Sequence, residues 1–493
     1  MDKCYNGLLI INKPKNYTSR DVVNKLNHIF HTKKIGHTGT LDPIATGVLV
    51  VAIGSYTKLV NMLTSLDKEY IAEIKLGVKT DTLDITGNIL EQNDDYNITR
   101  EDIINVFNKF PKEYEQEVPA YSAVKINGKK LYEYARNEEK VIANLIESLR
   151  EQHYPKNKLD IYVIADNCTD HTADVARQAG AIVYERFDET KRSKGYALEW
   201  FFDKVLEEFP DKYDAFCVFD ADNLVTPGFM NKMNEKLCEG EKLVQGYRDI
   251  KNVDDNWLSA NSAIYYWTLN KLYHYARYNM GLSAFIQGTG FMVSMDVIKE
   301  EGGWHTTALT EDIEFSFTQI AKGRKIAWAH DAVVFDEQPT ALSQAWNQRL
   351  RWGVGHIQSM GKCLPKLFQC KKVTPVIIDA FIYLMSFPVL FISIITSVLN
   401  FVSMSSLTNK EIVSTFSSSI ITSGLFILGS ILEVIVVLKL EKRSLKQVWK
   451  GIITYPIFLG LTYAVNACAI FNTKMAWKPI EHVKAVKLSE LQK

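Results

Sequence analysis

Asp220-Ala-Asp222 sets two carboxylates on one turn, directly after the apolar run Ala215–Phe219. Two oxygen-donor side chains that close can hold a divalent cation, Mg2+ or Mn2+, against the phosphates of a nucleotide. Acidic residues after a strand are also ordinary turn formers, so the pair takes its meaning from its company. A second acidic cluster, Asp166-Asn-Cys-Thr-Asp170, likewise follows an apolar run, Leu159–Ala165. Earlier in the chain a lone carboxylate, Asp42, stands before Pro43. It lies in the tight, hydroxyl-rich loop Lys33-Lys-Ile-Gly-His-Thr-Gly-Thr-Leu-Asp42-Pro-Ile-Ala-Thr-Gly47.

The elements around these residues set what they can do. Gly7–Ile11 reads as a buried strand closed by Lys13-Pro14. Ser19 can cap a helix carrying Val22, Val23, Leu26, Ile29 and Phe30, and Val48–Ile53 returns to strand. In the second part, Val141, Ile142, Leu145, Ile146 and Leu149 recur at helical spacing. The strand at 159–165, a helix at Thr172–Ala179, a strand at Ala181–Glu185, a helix after Lys191 and the strand at 215–219 then alternate. That alternation predicts a parallel sheet covered on both faces, with both acidic clusters at strand carboxyl ends, where such sheets bind ligands.

The chain has 493 residues, 47% hydrophobic and 23% charged, with no net charge. It is globular, it holds two or three domains, and whole-chain charge selects no partner. The first 58 residues are modestly basic, with eight Lys/Arg against three Asp, which suits a phosphate-bearing partner or a solvated face. Seven scattered cysteines without a C-x-x-C pair predict a reduced chain with no disulfide or zinc framework. No signal peptide is expected at the start, because Gly7–Ile11 is only of strand length. Three apolar runs, Val376–Val402, Phe416–Leu440 with Glu433 inside, and Ile452–Phe471, are long enough to span a membrane. Basic residues before the first run and after the second place the preceding domain on the cytosolic side of a multi-pass cell-membrane protein.

The first segment closely resembles the tRNA pseudouridine synthase B family. The resemblance rests on the opening G-x-L-x-I-N-K-P, on Thr18–Val23 and on the string from Lys33 to Leu49. Lys68-Glu-Tyr70, Leu76-Gly77, Thr80–Asp84 and Pro119–Gly128 also match. The family isomerises a uridine of the tRNA T-arm without a cofactor. The resemblance implies that Asp42 is the catalytic carboxylate, that Tyr70 stacks on the flipped base and that tRNA is the partner if this segment functions. Such a base must leave its stack to be reached, and an aromatic ring can then hold it. The resemblance ends near Arg136. The family's domain runs on for about another half and includes an Arg that pairs with the catalytic Asp. A half-sheet left without its remainder would expose an apolar face or an unpaired edge.

The second segment resembles the processive, membrane-integrated family 2 glycosyltransferases, the group of cellulose, chitin, hyaluronan and poly-N-acetylglucosamine synthases. Asp220-Ala-Asp222, Lys194-Gly-Tyr-Ala-Leu198, Gln287-Gly-Thr-Gly-Phe-Met292, Thr310-Glu311-Asp312 and Gln348-Arg-Leu-Arg351-Trp352 carry it, in family order. It implies an inverting transferase that passes a sugar from a UDP-sugar to a glycan acceptor, beside membrane lipid. In that reading Asp166 contacts uracil or ribose, Lys194 lies near the nucleotide, and Asp220 and Asp222 serve nucleotide and Mg2+ or Mn2+. Asp312 is the general base, Gly288 and Gly290 shape the acceptor pocket, and Gln348, Arg351 and Trp352 sit over diphosphate and acceptor.

The expected architecture is therefore a truncated α+β pseudouridine synthase segment (1–136), a GT-A-like α/β nucleotide-diphospho-sugar transferase domain (137–372) and a membrane segment of about three helices (373–493). The seam falls at Tyr134-Ala-Arg-Asn-Glu-Glu-Lys-Val141. The family's first, central strand ends in an A-x-N-E-E turn. Here only Ala135–Glu139 remains, with Glu138 as the surviving donor contact, and the polar Asn127–Tyr134 reads as a turn and helix start. Loss of that strand should open the core and weaken nucleotide binding. Three readings stay open: a glycosyltransferase with an inert appendage, a pseudouridine synthase with an incidental remainder, or a recombination or assembly chimera with neither activity.

Overall fold

A computed structural model describes residues 5–80, 85, 89–93, 98–109, 125–126, 129–168, 170–403, 409–472, 486 and 488–491. Most of the strings Thr80–Asp84 and Pro119–Gly128 lies outside the described residues. The chain forms two compact units, one of residues 1–80 and 89–98, the other of residues 81–88 and 99–493.

In the first unit β1 (Gly7–Lys13), β2 (Ile35–His37) and β3 (Gly47–Ile53) form an antiparallel sheet in the order β1-β3-β2. Helix α1 (Ser19–Phe30) lays Val22, Val23 and Leu26 on Leu49, Val51 and Ile53. The cap is Thr18 rather than Ser19. Thr18 and Asp21 form a reciprocal capping box, while the Ser19 hydroxyl accepts from the Leu41 amide at 2.9 Å. The uncovered face of the sheet displays Leu8, Ile10 and Val48, with Ile10 75% exposed.

The second unit is layered. Helix α2 (Leu131–Arg150) runs through the seam, so Ala135–Glu139 is helical rather than a turn after a strand. Val141, Ile142, Leu145, Ile146 and Leu149 are all buried, as their spacing predicts. Strands β4 (Tyr162–Asp166) and β5 (Ile182–Arg186), joined through α3 (Thr172–Gln178), pair in parallel. Helix α4 (Lys194–Glu208) follows. A five-stranded sheet in the order β6-β9-β8-β10-β7 comprises β6 (Ala215–Val218), β7 (Leu224–Val225), β8 (Leu243–Ile250), β9 (Phe291–Ser294) and β10 (Ala327–Asp336). Helices α4, α5 (Trp257–Thr268) and α6 (Glu311–Ala321) cover one face, and α2 with the helix Phe229–Cys238 covers the other, while α3 packs on β4 and β5.

The expectation of a wholly parallel sheet does not hold. Among the described residues only β4 with β5 and β8 with β10 are parallel; β9 is antiparallel to both its neighbours. The reason is topological: the helices between β8 and β9 return the chain so that β9 starts where β6 ends, with Phe291 opposite Val218. The Gly288–Gly290 turn is thereby delivered to the carboxyl end of β6, beside Asp220.

The layer is also interrupted. Tyr162 and Ile164 of β4 face the same core as Phe216 and Val218 of β6, and Val163 faces the same opposite core as Ala215 and Cys217. The Tyr162 and Tyr213 hydroxyls lie 2.7 Å apart. Yet β4 and β6 share no backbone ladder, and each ends its own sheet. Three of the four apolar residues of β4, and all of β6, remain only half-buried, where β8 and β9 are almost wholly buried.

Beyond α7 (Leu342–Phe368), the expected first span divides into α8 (Pro375–Leu384) and α9 (Ser386–Ser403). Pro388 has no N–H to offer the Leu384 carbonyl four residues back. His356 Nε2 stands 3.4 Å from that oxygen. Among the described residues, two helical stretches are long and apolar enough to cross a membrane: Ile421–Leu440 within α10 (Asn409–Leu440), and α11 (Trp449–Phe471).

Candidate active site

Lys194 opens α4 behind its Ser193 cap, and its ammonium reaches two elements at once. It donates to the Asp220 carboxylate and, at 2.5 Å, to the Gly288 carbonyl. Gly288 (φ 81°) in turn abuts Asp312: a Cβ there would meet Asp312 Oδ2 at 3.2 Å. One lysine thus ties the carboxyl end of β6 to the turn before β9, beside the first turn of α6. Burial pulls the Lys194 pKa down, but Asp220, Glu311 and Asp312 outweigh it and hold the ammonium above its ordinary value.

Glu311 and Asp312 lie side by side at the start of α6. Burial pushes both carboxyls above the ordinary range, and the Asp312 charge pushes Glu311 further. The Ile313 amide, donating to Asp312 Oδ1 at 2.8 Å, together with Lys194 and Arg248, opposes the rise at Asp312. The environments therefore separate the two groups, leaving Asp312 as the one that ionises more readily.

The Asp220–Asp222 turn is held from several sides. The Asp220 amide donates to Asn223 Oδ1 and Thr289 Oγ1, both at 3.0 Å. Asp222 Oδ2 accepts from the Glu337 amide at 3.0 Å, and its backbone carbonyl from buried Lys251 at 2.9 Å. Two carboxylates at a strand end fit a hard divalent cation, which commonly uses one or two protein carboxylates and completes its shell with phosphate and water. Among the described residues no group of three or more His, Cys, Asp or Glu side chains is placed to cage a metal.

Sequence reasoning missed the floor beneath this turn. Arg248 of β8 donates through Nε to Asp336 at 2.8 Å and through Nη1 to the Gln287 carbonyl at 2.9 Å. Burial, relieved in part by Arg248, raises the Asp336 carboxyl to about 6. Asp336 closes an apolar strand as Asp220 and Asp166 do, so the same strand-end rule would have found it. Arg248 lies inside a strand and gives no such signal.

The remaining expected residues take these places. Asp166 accepts from buried Arg186 at 2.5 Å and from Asn167 Nδ2 at 3.1 Å, so it sits in a salt bridge at the carboxyl end of β4. Gly290 (φ 63°) brings the backbone against Val334. Gln348 is buried on α7, its Oε1 without a hydrogen-bond partner among the described residues; Arg351 and Trp352 are half-buried one turn on. Helix α7 docks beside Asp312 through Gly355, where a Cβ would meet the Thr310 side chain at 2.6 Å. Glu138 lies within α2, and its side chain is outside the described residues.

In the other unit, Asp42 is exposed in a loop tied on both flanks. Ser19 holds the Leu41 amide, while the Asn16 amide at 2.7 Å and the fully buried Lys13 ammonium at 3.5 Å donate to the Pro43 carbonyl. Tyr70 stands 68% exposed.

Two family models match the chain. Residues 27–166 match the N-terminal domain of the TruB family of pseudouridylate synthases, and residues 134–355 match glycosyltransferase-like family 2. The chain is thus similar to parts of two families. The two matches overlap at 134–166, across the seam. tRNA pseudouridine synthase B of Staphylococcus saprophyticus is 45% identical over 162 residues, 32% of this chain and 50% of that protein. The Mesoplasma florum enzyme is 40% identical over 187 residues, 36% of this chain and 65% of that protein. The Bacillus subtilis enzyme is 49% identical over 132 residues, 27% and 43% respectively. The chain thus spans about half the length of these relatives. Among solved structures, a mannosyltransferase from Pyrobaculum calidifontis in complex with GDP-Man and Mn2+ is 16% identical. That alignment covers 68% of this chain and 84% of the other, with a TM-score of 0.45. The S. aureus TarS fragment 1–349, in complex with UDP, is 12% identical over 50% of this chain and 68% of that one, with a TM-score of 0.34.

Proposed function

We propose that residues 137–372 form an inverting glycosyltransferase that passes a sugar from a UDP-sugar to a glycan acceptor at a membrane. The observation that carries this reading is the Lys194 bridge, which joins Asp220 to the turn lying against Asp312. Asp312 takes the proton of an acceptor hydroxyl, and that oxygen attacks the anomeric carbon from the face opposite the diphosphate. The bond from the anomeric carbon to the diphosphate oxygen breaks in the same displacement, so the configuration inverts. Glu311, kept protonated by burial and by its neighbour's charge, leaves the base role to Asp312. Lys194 offsets negative charge at the donor. Mg2+ or Mn2+, held by Asp222 with Asp220, supplies further counter-charge to the leaving diphosphate when bound. Asp166, oriented by Arg186, faces the nucleoside; Gly288 and Gly290 shape the acceptor pocket; Gln348, Arg351 and Trp352 cover diphosphate and acceptor; Glu138 adds a donor contact.

The two long apolar helices favour a cell-membrane location beside lipid, with the transferase domain on the cytosolic side, because Lys442, Arg443 and Lys446 lie between them and Lys439 and Lys450 at their facing ends. The test is transfer from labelled UDP-sugars by membranes holding the full chain, with Asp312→Asn as control. Equal incorporation by both would remove the reading.

A second reading concerns residues 1–136. The loop tied by Ser19, Asn16 and Lys13 holds Asp42 in a defined place, as a catalytic carboxylate requires, and supports isomerisation of a T-arm uridine in tRNA without a cofactor, with Tyr70 stacking on the base. Pseudouridine formation in T-arm RNA that disappears with Asp42→Asn is the expected result; no product above background would discard it.

A further inference from the structure

Strand β8 carries side chains of two kinds in alternation. Arg248 points to Asp336 and the Gln287 carbonyl, under the Asp220–Asp222 turn. Its neighbours Tyr247 and Asp249 point the other way and meet the turn that ends α10. The Tyr247 hydroxyl donates to Glu441 at 2.6 Å, and Lys271 lies 3.3 Å from the other oxygen of that carboxylate. Arg443 donates to Asp249 at 2.5 Å and lies over the Trp267 ring at 4.6 Å, while Trp267 Nε1 donates to Asp249 at 2.7 Å. Asp249 and Tyr247 are buried, so these are charge-assisted bonds inside the protein, stronger than exposed ion pairs. The turn is fixed as well: Lys442 takes φ 54°, and Glu441 and Arg443 on either side of it reach Tyr247 and Asp249, alternate residues on one face of one strand.

We infer that Glu441 and Arg443, at the end of the membrane-spanning stretch of α10, are positioning residues of the donor site, acting through β8 on Arg248 and Asp336. Donor affinity then depends on how α10 is seated. The inference rests on the proposed donor site. A strand clamped at 247 and 249 has no freedom to rotate Arg248 away from Asp336. A strand released at Asp249 leaves a buried carboxylate partly uncompensated, one residue from the guanidinium that supports the site.

The experiment uses the full chain in detergent or membranes. Arg443→Ala is expected to raise KM for the UDP-sugar about tenfold, the effect of losing one charge-assisted bond, with kcat at saturating donor within about twofold. Arg443→Lys should recover most of the KM. A merely structural arginine would instead lower the active fraction, and so kcat, with KM unchanged, and that result overturns the inference. A second measurement covers a variant that fails to fold. In the wild-type chain, UDP with Mn2+ should slow amide exchange in residues 247–250 and 438–446 together, because coupling is reciprocal; protection of 247–250 alone overturns it. If the wild type transfers no sugar, the functional reading fails, and the exchange measurement still decides whether the turn after α10 is coupled to β8.

Discussion

The backbone of Gly288 lies so close to Asp312 that a single added methyl would stand 3.2 Å from Oδ2 of the carboxylate. Gly288 also holds φ 81°, a region that costs a side-chain-bearing residue about 1–2 kcal/mol. Gly288→Ala should therefore displace the carboxylate without unfolding the domain. Sugar transfer is expected to fall at least tenfold with the thermal midpoint lowered by only a few degrees. Unchanged kinetics in a folded variant would mean that the turn does not shape the site.

Glu311 and Asp312 are adjacent carboxylates with different expected parts. Asp312→Asn removes the base and should lower kcat by about a hundredfold or more. Glu311→Gln keeps the shape of a group already protonated and should lower kcat only severalfold. The sign of the pH effect follows from the raised Asp312 pKa. Below it the base carries a proton and cannot accept another, so activity drops as pH falls through a value above the ordinary aspartate pKa of about 3.9. A pH–rate profile flat down to about pH 4 would argue against Asp312 as the base.

The strand ends and the buried helix face were legible because they depend on local rules. Strand ends marked Asp166 and Asp220, and helical spacing marked Val141 to Leu149, all five of which are buried. Local rules also show where the reading slipped. Thr18 with Asp21 is a full capping box that Ser19 cannot make, and Pro388 was visible inside the expected first span. What no window of sequence contains is pairing at a distance. Arg248 meets Asp336 88 residues on, and Asp249 meets Arg443 194 residues on. The antiparallel entry of β9 is of the same kind, since it depends on how the helices between β8 and β9 return the chain.

His274 offers a test of the core that needs no substrate. It lies on the π-helical turn Leu269–Tyr275, fully buried and stacked on Trp328 at 5.0 Å, with neither ring nitrogen hydrogen-bonded among the described residues. Burial, with the nearby Arg277 charge, lowers its pKa to about 3, and burial lowers that of His356 to about 4. Between those values and the unfolded value near 6.5, the unfolded chain binds protons that the folded chain refuses. The stability of the neutral rings is thus fully present above about pH 6.5 and is lost as pH falls toward the folded values. At pH 5 each histidine costs about 2 kcal/mol. His274→Phe, which keeps the ring and removes the nitrogens, should make the chain about 2 kcal/mol less sensitive to the change from pH 7 to pH 5. An unaltered pH dependence of the melting temperature would show that the ring is already protonated or solvated in the fold.

The interruption between β4 and β6 makes the sharpest demand on the second unit. Both strands are apolar on both faces and lie in one layer, yet each has a backbone edge that no strand pairs among the described residues. Unpaired edge amides exchange by local opening, whereas those of a central strand wait for larger unfolding. Amides of Tyr162–Asp166 and Ala215–Val218 should therefore exchange about ten to a hundred times faster than those of Leu243–Ile250, equivalent to about 1.4–2.7 kcal/mol of lower opening energy. The helices on either side bury the neighbouring side chains, so the difference belongs to the backbone edge rather than to general looseness. Equal protection in all three strands would mean that some segment fills the slot in solution, and the half-buried state of Ala215–Val218 would then need another cause.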